Sequence, residues 1–307
     1  MNAFVGVTDG DWFELLARQP GLEEANFWQP GGNRQFRVLR PGELFLFKLH
    51  SPRDFIVGGG FFAHSTLLPV SLAWEAFGIA NGATTLAEMR SRIERYRRTR
   101  TNPLEDYTIG CILLEQPFFL PREQWIPVPR DWKRNIVQGR TYDLASGTGR
   151  NLWDALHPVL AGRRADVPQA MESPLRYGQP IMTMPRLGQG SFRVLVTDAY
   201  RRRCAVTAER TLPVLQAAHI QPYGSGGEHR IDNGLLLRSD LHVLFDRGYV
   251  TVTPDHRLEV SRRIREEFEN GRDYYGLHGR VLQLPASAGH RPAEGLLRWH
   301  NERVYRG

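Results

Sequence analysis

Apolar and polar positions along the chain fall into two kinds of pattern. Short apolar runs bounded by Gly, Pro, Asn or Asp read as strands, and longer stretches with apolar residues three and four apart read as helices. By these signals residues 5–7, 44–49, 55–57 and 109–114 are expected as strands, and 9–19, 67–77 and 85–98 as helices. Leu44, Phe45, Leu46 and Phe47 form a continuous apolar run, which predicts a strand buried on both faces. Gly58, Gly59 and Gly60 follow a strand and permit close backbone approach. Residues 117–129 hold four prolines and are expected to be irregular. Pro168, Pro174, Pro180 and Pro185 then mark residues 163–190 as a linker, after which Ser191 is expected to cap a helix over 192–203. Beyond residue 248 the pattern predicts a hairpin of 249–252 with 258–260, a helix at 264–270, a strand at 281–284 and a final helix at 294–305.

The 307 residues are enough for two domains. Hydrophobic content of 41% supports buried cores rather than disorder. The net charge of +7 and pI near 9.7 favour a polyanionic partner, nucleic acid first among them. The exposed side of the 85–98 helix adds Arg90, Arg92, Arg95, Arg97 and Arg98, a candidate track for phosphates. Cys111 and Cys204 are far apart and no CxxC pair exists, so neither a zinc ribbon nor a disulfide framework is supported. An acidic N-terminus without the order of a signal peptide, and no apolar run of membrane-spanning length, lead to the expectation of a cytoplasmic protein with no membrane partner.

Chemistry-bearing residues concentrate between Cys204 and Gly248. His219 ends one strand-like run, and Asn233 precedes the apolar Leu235, Leu236 and Leu237. A glycine-rich loop, 224–227, lies between them. Ser239 and Asp240 look like a helix start. His242 and Asp246, four apart, then share one helix face and make a half-shell for a divalent metal. A His near its ordinary pKa is a suitable base for activating water at neutral pH.

The segments AAHIQP, IDNGLLL and LHVLFDRG resemble the HNH nucleases, whose site is a β-hairpin and a helix around one metal ion. The resemblance implies His219 as general base, Asn233 as the residue that braces the loop and orients the base, and His242 as a metal ligand. It implies one divalent ion, Mg2+ or Mn2+, per active site. Many family members place an acidic or His ligand directly before the base; this chain has Ala218 there. Asp246 is the candidate replacement.

The first half resembles the PUA-like family, which includes EVE-type and SRA-type readers of modified bases. The resemblance rests on NFWQP at 26–30, LFKLHSPRDFIVGGGFF at 46–62, LAWEAFG at 72–78 and IGCILLEQPFFLP at 109–121. It implies a pocket for a flipped nucleotide, with Trp28, Phe62 and Trp74 as an aromatic clamp and His50 or Ser65 as polar contacts. Arg90, Arg95, Arg97 and Arg98 would hold the DNA backbone. The expected fold is α+β: a PUA-like mixed β-barrel with helices over 1–162, the linker, and an HNH ββα-metal domain over 191–307. The expected function is a modification-dependent restriction endonuclease that flips modified cytosine, 5-methyl or 5-hydroxymethyl, and cuts double-stranded DNA nearby as a homodimer. The alternatives are an HNH nuclease whose first domain reads sequence or RNA, and a non-catalytic nucleic-acid-binding protein.

Overall fold

The computed structural model describes residues 1–97, 102, 105–133, 135–165 and 187–307, without the side chains of 161–165. The chain divides into two compact units, Met1–Pro185 and Arg186–Gly307. Residues 166–186 of the expected linker lie outside the described residues. Its two ends are helical rather than extended, since one helix runs to Ala165 and the next begins at Gln189.

The first unit is built on β1 Asn2–Thr8, α1 Gly10–Ala17, β2 Glu24–Gln29, β3 Leu44–Leu49, β4 Phe55–Pro69, α2 Val70–Phe77, α3 Leu86–Tyr96, β5 Thr108–Phe119, β6 Ile126–Pro127, β7 Gly139–Asp143 and α4 Gly147–Ala165. Its strands form one mixed sheet in the order β2-β5-β4-β3-β1-β7, with β6 beside β4. β1 and β3 run parallel, and the other pairings are antiparallel. The path ends at β2 and β7, so the pairings found among the described residues do not close it into a barrel.

β3 is buried at all six positions, as its unbroken apolar run predicts for a central strand covered on both faces. Phe45 and Phe47 join Trp12, Phe13 and Leu16 of α1 in one core. Leu44 and Leu46 face the other, with Leu152 and Leu156 of α4. Gly58 and Gly59 are required by crowding: a Cβ on Gly58 would lie 2.2 Å from the Phe118 carbonyl oxygen, and one on Gly59 would lie 2.7 Å from that of Phe45.

Several boundaries differ from expectation. β4 continues through the apolar residues at 67 and 68 that read as a helix start, because their partner β5 pairs with them out to Thr108. α2 therefore begins only after Pro69. The proline-rich stretch is partly regular, since Pro117, Phe118 and Phe119 finish β5 and β6 holds Ile126 and Pro127. β2, β7 and α4 carry too little periodicity to be read from the sequence.

The second unit holds α5 Gln189–Ala199, β8 Leu215–His219, β9 Gly234–Arg238, α6 Ser239–Asp246, β10 Val250–Val252, β11 Leu258–Val260, α7 Arg263–Phe268, α8 Arg272–Tyr275 and α9 Glu294–Arg303. α5 starts two residues before Ser191, with Gly188 at its N-cap, so Ser191 is buried inside the first turn rather than at the cap position. β8 and β9 pair antiparallel, His219 opposite Gly234, and α6 follows β9 directly. One apolar core joins Phe192 and Val196 of α5, Ala218, Leu235, Leu237, Leu241 and Phe245. β10 and β11 form the expected hairpin, but 281–284 is no strand, only a single bridge from Arg257 to Val281.

Candidate active site

The hairpin and α6 make a ββα unit, and its register decides which side chains reach solvent. Ala218 is fully buried in the core. Its neighbour His219 is turned to the other face and lines a cleft of about 580 Å3 with Gln216, His242 and Asp246. Phe192, Arg193 and His300 also line it. The structure thus brings together three of the four residues picked from this stretch.

The fourth, Asn233, works behind them. It is buried, and its side chain makes three hydrogen bonds across the loop that the hairpin carries. Its amide donates to the carbonyls of Gln221 and Glu228, each at 2.9 Å, and its Oδ1 accepts from the Gln221 N–H at 2.9 Å. Its backbone carbonyl accepts from the Ile220 N–H, next to His219. Gly227 is obligatory under this strap, because a Cβ there would fall 1.9 Å from the Gln221 carbonyl oxygen.

The His219 ring lies flat on Phe192, with centroids 3.9 Å apart and planes 12° from parallel. Its Nε2 is 2.9 Å from Nδ1 of His229. Burial, then the neighbouring His229 and His242, push its pKa down to about 4, so the imidazole is neutral at physiological pH.

His242 is held from the opposite strand: its Nδ1 is 2.8 Å from Gln216 Oε1. A carboxamide oxygen only accepts, so Nδ1 carries the hydrogen and Nε2 keeps its lone pair. That Nε2 lies 3.3 Å from Asp246 Oδ2. Burial lowers the His242 pKa against the opposing pull of Asp246, and burial raises the Asp246 pKa against His242. Two lone-pair donors this close favour a cation or a shared proton between them. Among the described residues, no three His, Cys, Asp or Glu side chains converge on one metal position. The pair His242–Asp246 fits a divalent ion as a partial shell, to be completed by water and phosphate oxygens.

Sequence reasoning passed over His229, Gln216 and Phe192. Phe192 was visible only as an apolar helix residue, and Gln216 only as an alternate position on a strand. His229 stood in the sequence as the one titratable ring between the glycine-rich loop and Asn233, which was the available signal.

The residues proposed for base reading do not form one group. Phe62 is packed in the core against Phe36, and the Ser65 hydroxyl accepts the Phe36 N–H. These positions are committed to packing because both lie on β4, the centre of the sheet. Trp74 is half-buried on α2. Trp28 and His50 do share a neighbour, Tyr96, whose ring is 6.3 Å from Trp28 and 6.2 Å, nearly parallel, from His50. Of the basic residues, Arg90 and Arg97 lie over the Tyr107 ring, at 4.8 and 4.3 Å, and bond to main-chain carbonyls. Arg92 is buried against Glu88 and the Gly82 carbonyl, so it is not on the exposed side. Arg95 is exposed, and Arg98 lies outside the described residues.

A family model described as HNH endonuclease matches residues 204–253, the segment that holds His219, Asn233, His242 and Asp246. No curated protein matches the chain. Among solved structures, ASCH from Zymomonas mobilis is similar at 10% identity, over 50% of this chain and 94% of that one, with a TM-score of 0.34. The modification dependent TagI restriction endonuclease is similar at 14% identity, over 98% of this chain and 81% of that one, with a TM-score of 0.31.

Proposed function

We propose that the protein is a modification-dependent restriction endonuclease: its second unit cuts DNA with an HNH site and its first reads a modified cytosine. The observation that carries the nuclease half is the meeting of His219, His242 and Asp246 in one cleft of a ββα unit, inside the segment that matches the HNH endonuclease family.

In this reading His219 takes the proton from the attacking water, and its depressed pKa keeps it neutral and ready. Stacking on Phe192 fixes the plane of the ring. His242 and Asp246 would hold the divalent ion, Mg2+ or Mn2+, with Gln216 orienting His242. A bound ion supplies positive charge to the phosphate and the leaving oxygen. Asn233 keeps the loop beside the base rigid.

The reading half rests on the resemblance of residues 1–162 to PUA-like readers. Trp28 and His50, grouped around Tyr96, are the better-placed candidates for contact with a flipped base. Arg95 is the exposed candidate for phosphate contact. One site per chain favours a homodimer for cutting both strands.

The test compares duplexes of one sequence carrying cytosine, 5-methylcytosine or 5-hydroxymethylcytosine, with Mg2+ or Mn2+. Cleavage restricted to a modified duplex supports the whole proposal. Equal cleavage of all three removes the reader and keeps the nuclease. A second reading, a non-catalytic binding protein, draws on Ala218 and on the incomplete set of ligands. It predicts that Mn2+ binding, measured by calorimetry, is absent in the wild type, whereas the nuclease reading predicts binding that His242→Ala abolishes.

A further inference from the structure

Beside His219 stands a ring that the proposed chemistry does not yet use. His229 Nδ1 is 2.9 Å from His219 Nε2, and the ring centroids are 5.0 Å apart. The centroid separation is close to the sum of that contact and the two ring radii, so the two nitrogens lie near the line between the ring centres. That is the geometry of a shared hydrogen.

Each neutral imidazole carries one N–H. Two arrangements of the shared hydrogen follow. If His229 donates, His219 must carry its own hydrogen on Nδ1, and neither nitrogen of His219 can accept a proton from water. If His219 donates from Nε2, its Nδ1 keeps a lone pair. No hydrogen bond to that Nδ1 is found among the described residues, and His219 lines the cleft. Only the second arrangement leaves His219 able to act as a base.

Two further contacts fix His229 in place. Its ring stacks on Tyr223, 5.0 Å away and 7° from parallel. The loop that carries both is tied to Asn233 through the Glu228 carbonyl. The rings of Phe192, His219, His229 and Tyr223 thus form one chain, from the buried core to the exposed Tyr223.

We propose that His229 is a positioning residue for His219: its Nδ1 accepts the His219 Nε2–H and so sets the tautomer in which Nδ1 of His219 is the base. The inference rests on the nuclease reading, which chooses between the two arrangements, and the tautomer is measured independently of cleavage. In the step it serves, one proton passes from water to His219 Nδ1, the water oxygen bonds to phosphorus, and the bond from phosphorus to the leaving oxygen breaks. The extra proton stays on the His219–His229 pair until it is returned to the leaving oxygen or to solvent.

The test joins a spectrum to a rescue series on the full chain. Nitrogen chemical shifts of 15N-histidine-labelled protein, with His219 assigned by comparison with His219→Ala, are expected to show His219 protonated on Nε2 alone in the wild type. In His229→Ala they are expected to show the Nδ1–H form as well. Cleavage by His229→Ala is expected to fall by about 100-fold in kcat with KM within threefold, the range of a displaced general base. His229→Asn, which keeps an acceptor near the position of Nδ1, is expected to recover at least tenfold of that loss. A wild-type His219 protonated on Nδ1 overturns the proposal, as does equal activity of wild type and His229→Ala, or equal impairment of the Ala and Asn variants. If wild type cuts no DNA with either metal while His219 is still the Nε2–H form, the nuclease reading fails and with it the role given to His229 as positioner of a base, although the contact and its tautomer are as assigned.

Discussion

Gln216 Oε1 and His242 Nδ1, on a strand and on the helix that follows its partner strand, are 2.8 Å apart. The contact fixes the His242 ring and directs Nε2 toward Asp246. Outer groups that orient a ligating imidazole are commonly worth about 10–100-fold in metal affinity. Gln216→Ala is therefore expected to weaken Mn2+ binding by roughly that factor. Because Gln216 is exposed, its loss should leave the unfolding midpoint in urea nearly unchanged. Calorimetric titration of both proteins checks the first, and a denaturation curve the second.

His219→Ala is expected to slow cleavage by about 10²- to 10⁴-fold while leaving DNA affinity intact, as for loss of a general base. A pKa pushed down to about 4 means the base is already unprotonated through the neutral range. Wild-type kcat should then lack the fall near pH 6.5 of an ordinary histidine, and its acid limb should appear near pH 4. Single-turnover rates at saturating metal, followed from neutral pH down through about pH 4, measure this.

Asn233→Ala leaves the Gln221 N–H and the Gln221 and Glu228 carbonyls without their partner. Each buried unsatisfied group costs about 1–3 kcal/mol, moderated where water can enter the loop. A loss of roughly 3 kcal/mol in urea unfolding is expected, together with a loss of cleavage, because the strap runs beside His219. Unchanged stability would mean that the loop is held by other contacts.

In the first unit, Glu115 is buried with an unsatisfied Oε1, opposite Glu24 on the neighbouring strand. Burial, and then the charge of Glu24, raise its pKa to about 8. The folded chain holds this proton where the unfolded chain, with the ordinary value of 4.5, has released it. Stability contributed here is present below about pH 4.5 and is lost as pH rises toward 8, at about 1.4 kcal/mol per pKa unit as an upper limit. Glu115→Gln should flatten the decline, as read from Tm between pH 5 and 8.

What the sequence disclosed follows from where local pattern governs. His242 and Asp246 needed only helical spacing, and the β3 run needed only its unbroken apolar character. His219 and Asn233 were marked by the strands they flank. His229 was hidden because its contact with His219 depends on how the loop folds under Asn233, which no periodicity encodes. The aromatic candidates divide by their place in the sheet. Phe62 and Trp28 are alike as letters, but β4 lies at the centre of the sheet and β2 at its edge, so one ring is packed away and the other is half-exposed. Arg92 was misjudged for a related reason, since its helix turns that position toward the Gly82 carbonyl.

Ala218 limits what β8 can offer to the cleft. Its side chain is fully buried in the apolar core, while its neighbour His219 lines the cleft. An aspartate placed there would be a charge buried among apolar side chains, so Ala218→Asp is expected to destabilise the unit, as read from its urea unfolding midpoint. Sliding β8 by one residue would move position 218 at the cost of the pairing that sets His219 opposite Gly234. With no donor atom on Ala218, a cation seated in this cleft would look to α6 for its protein contacts, through His242 and Asp246.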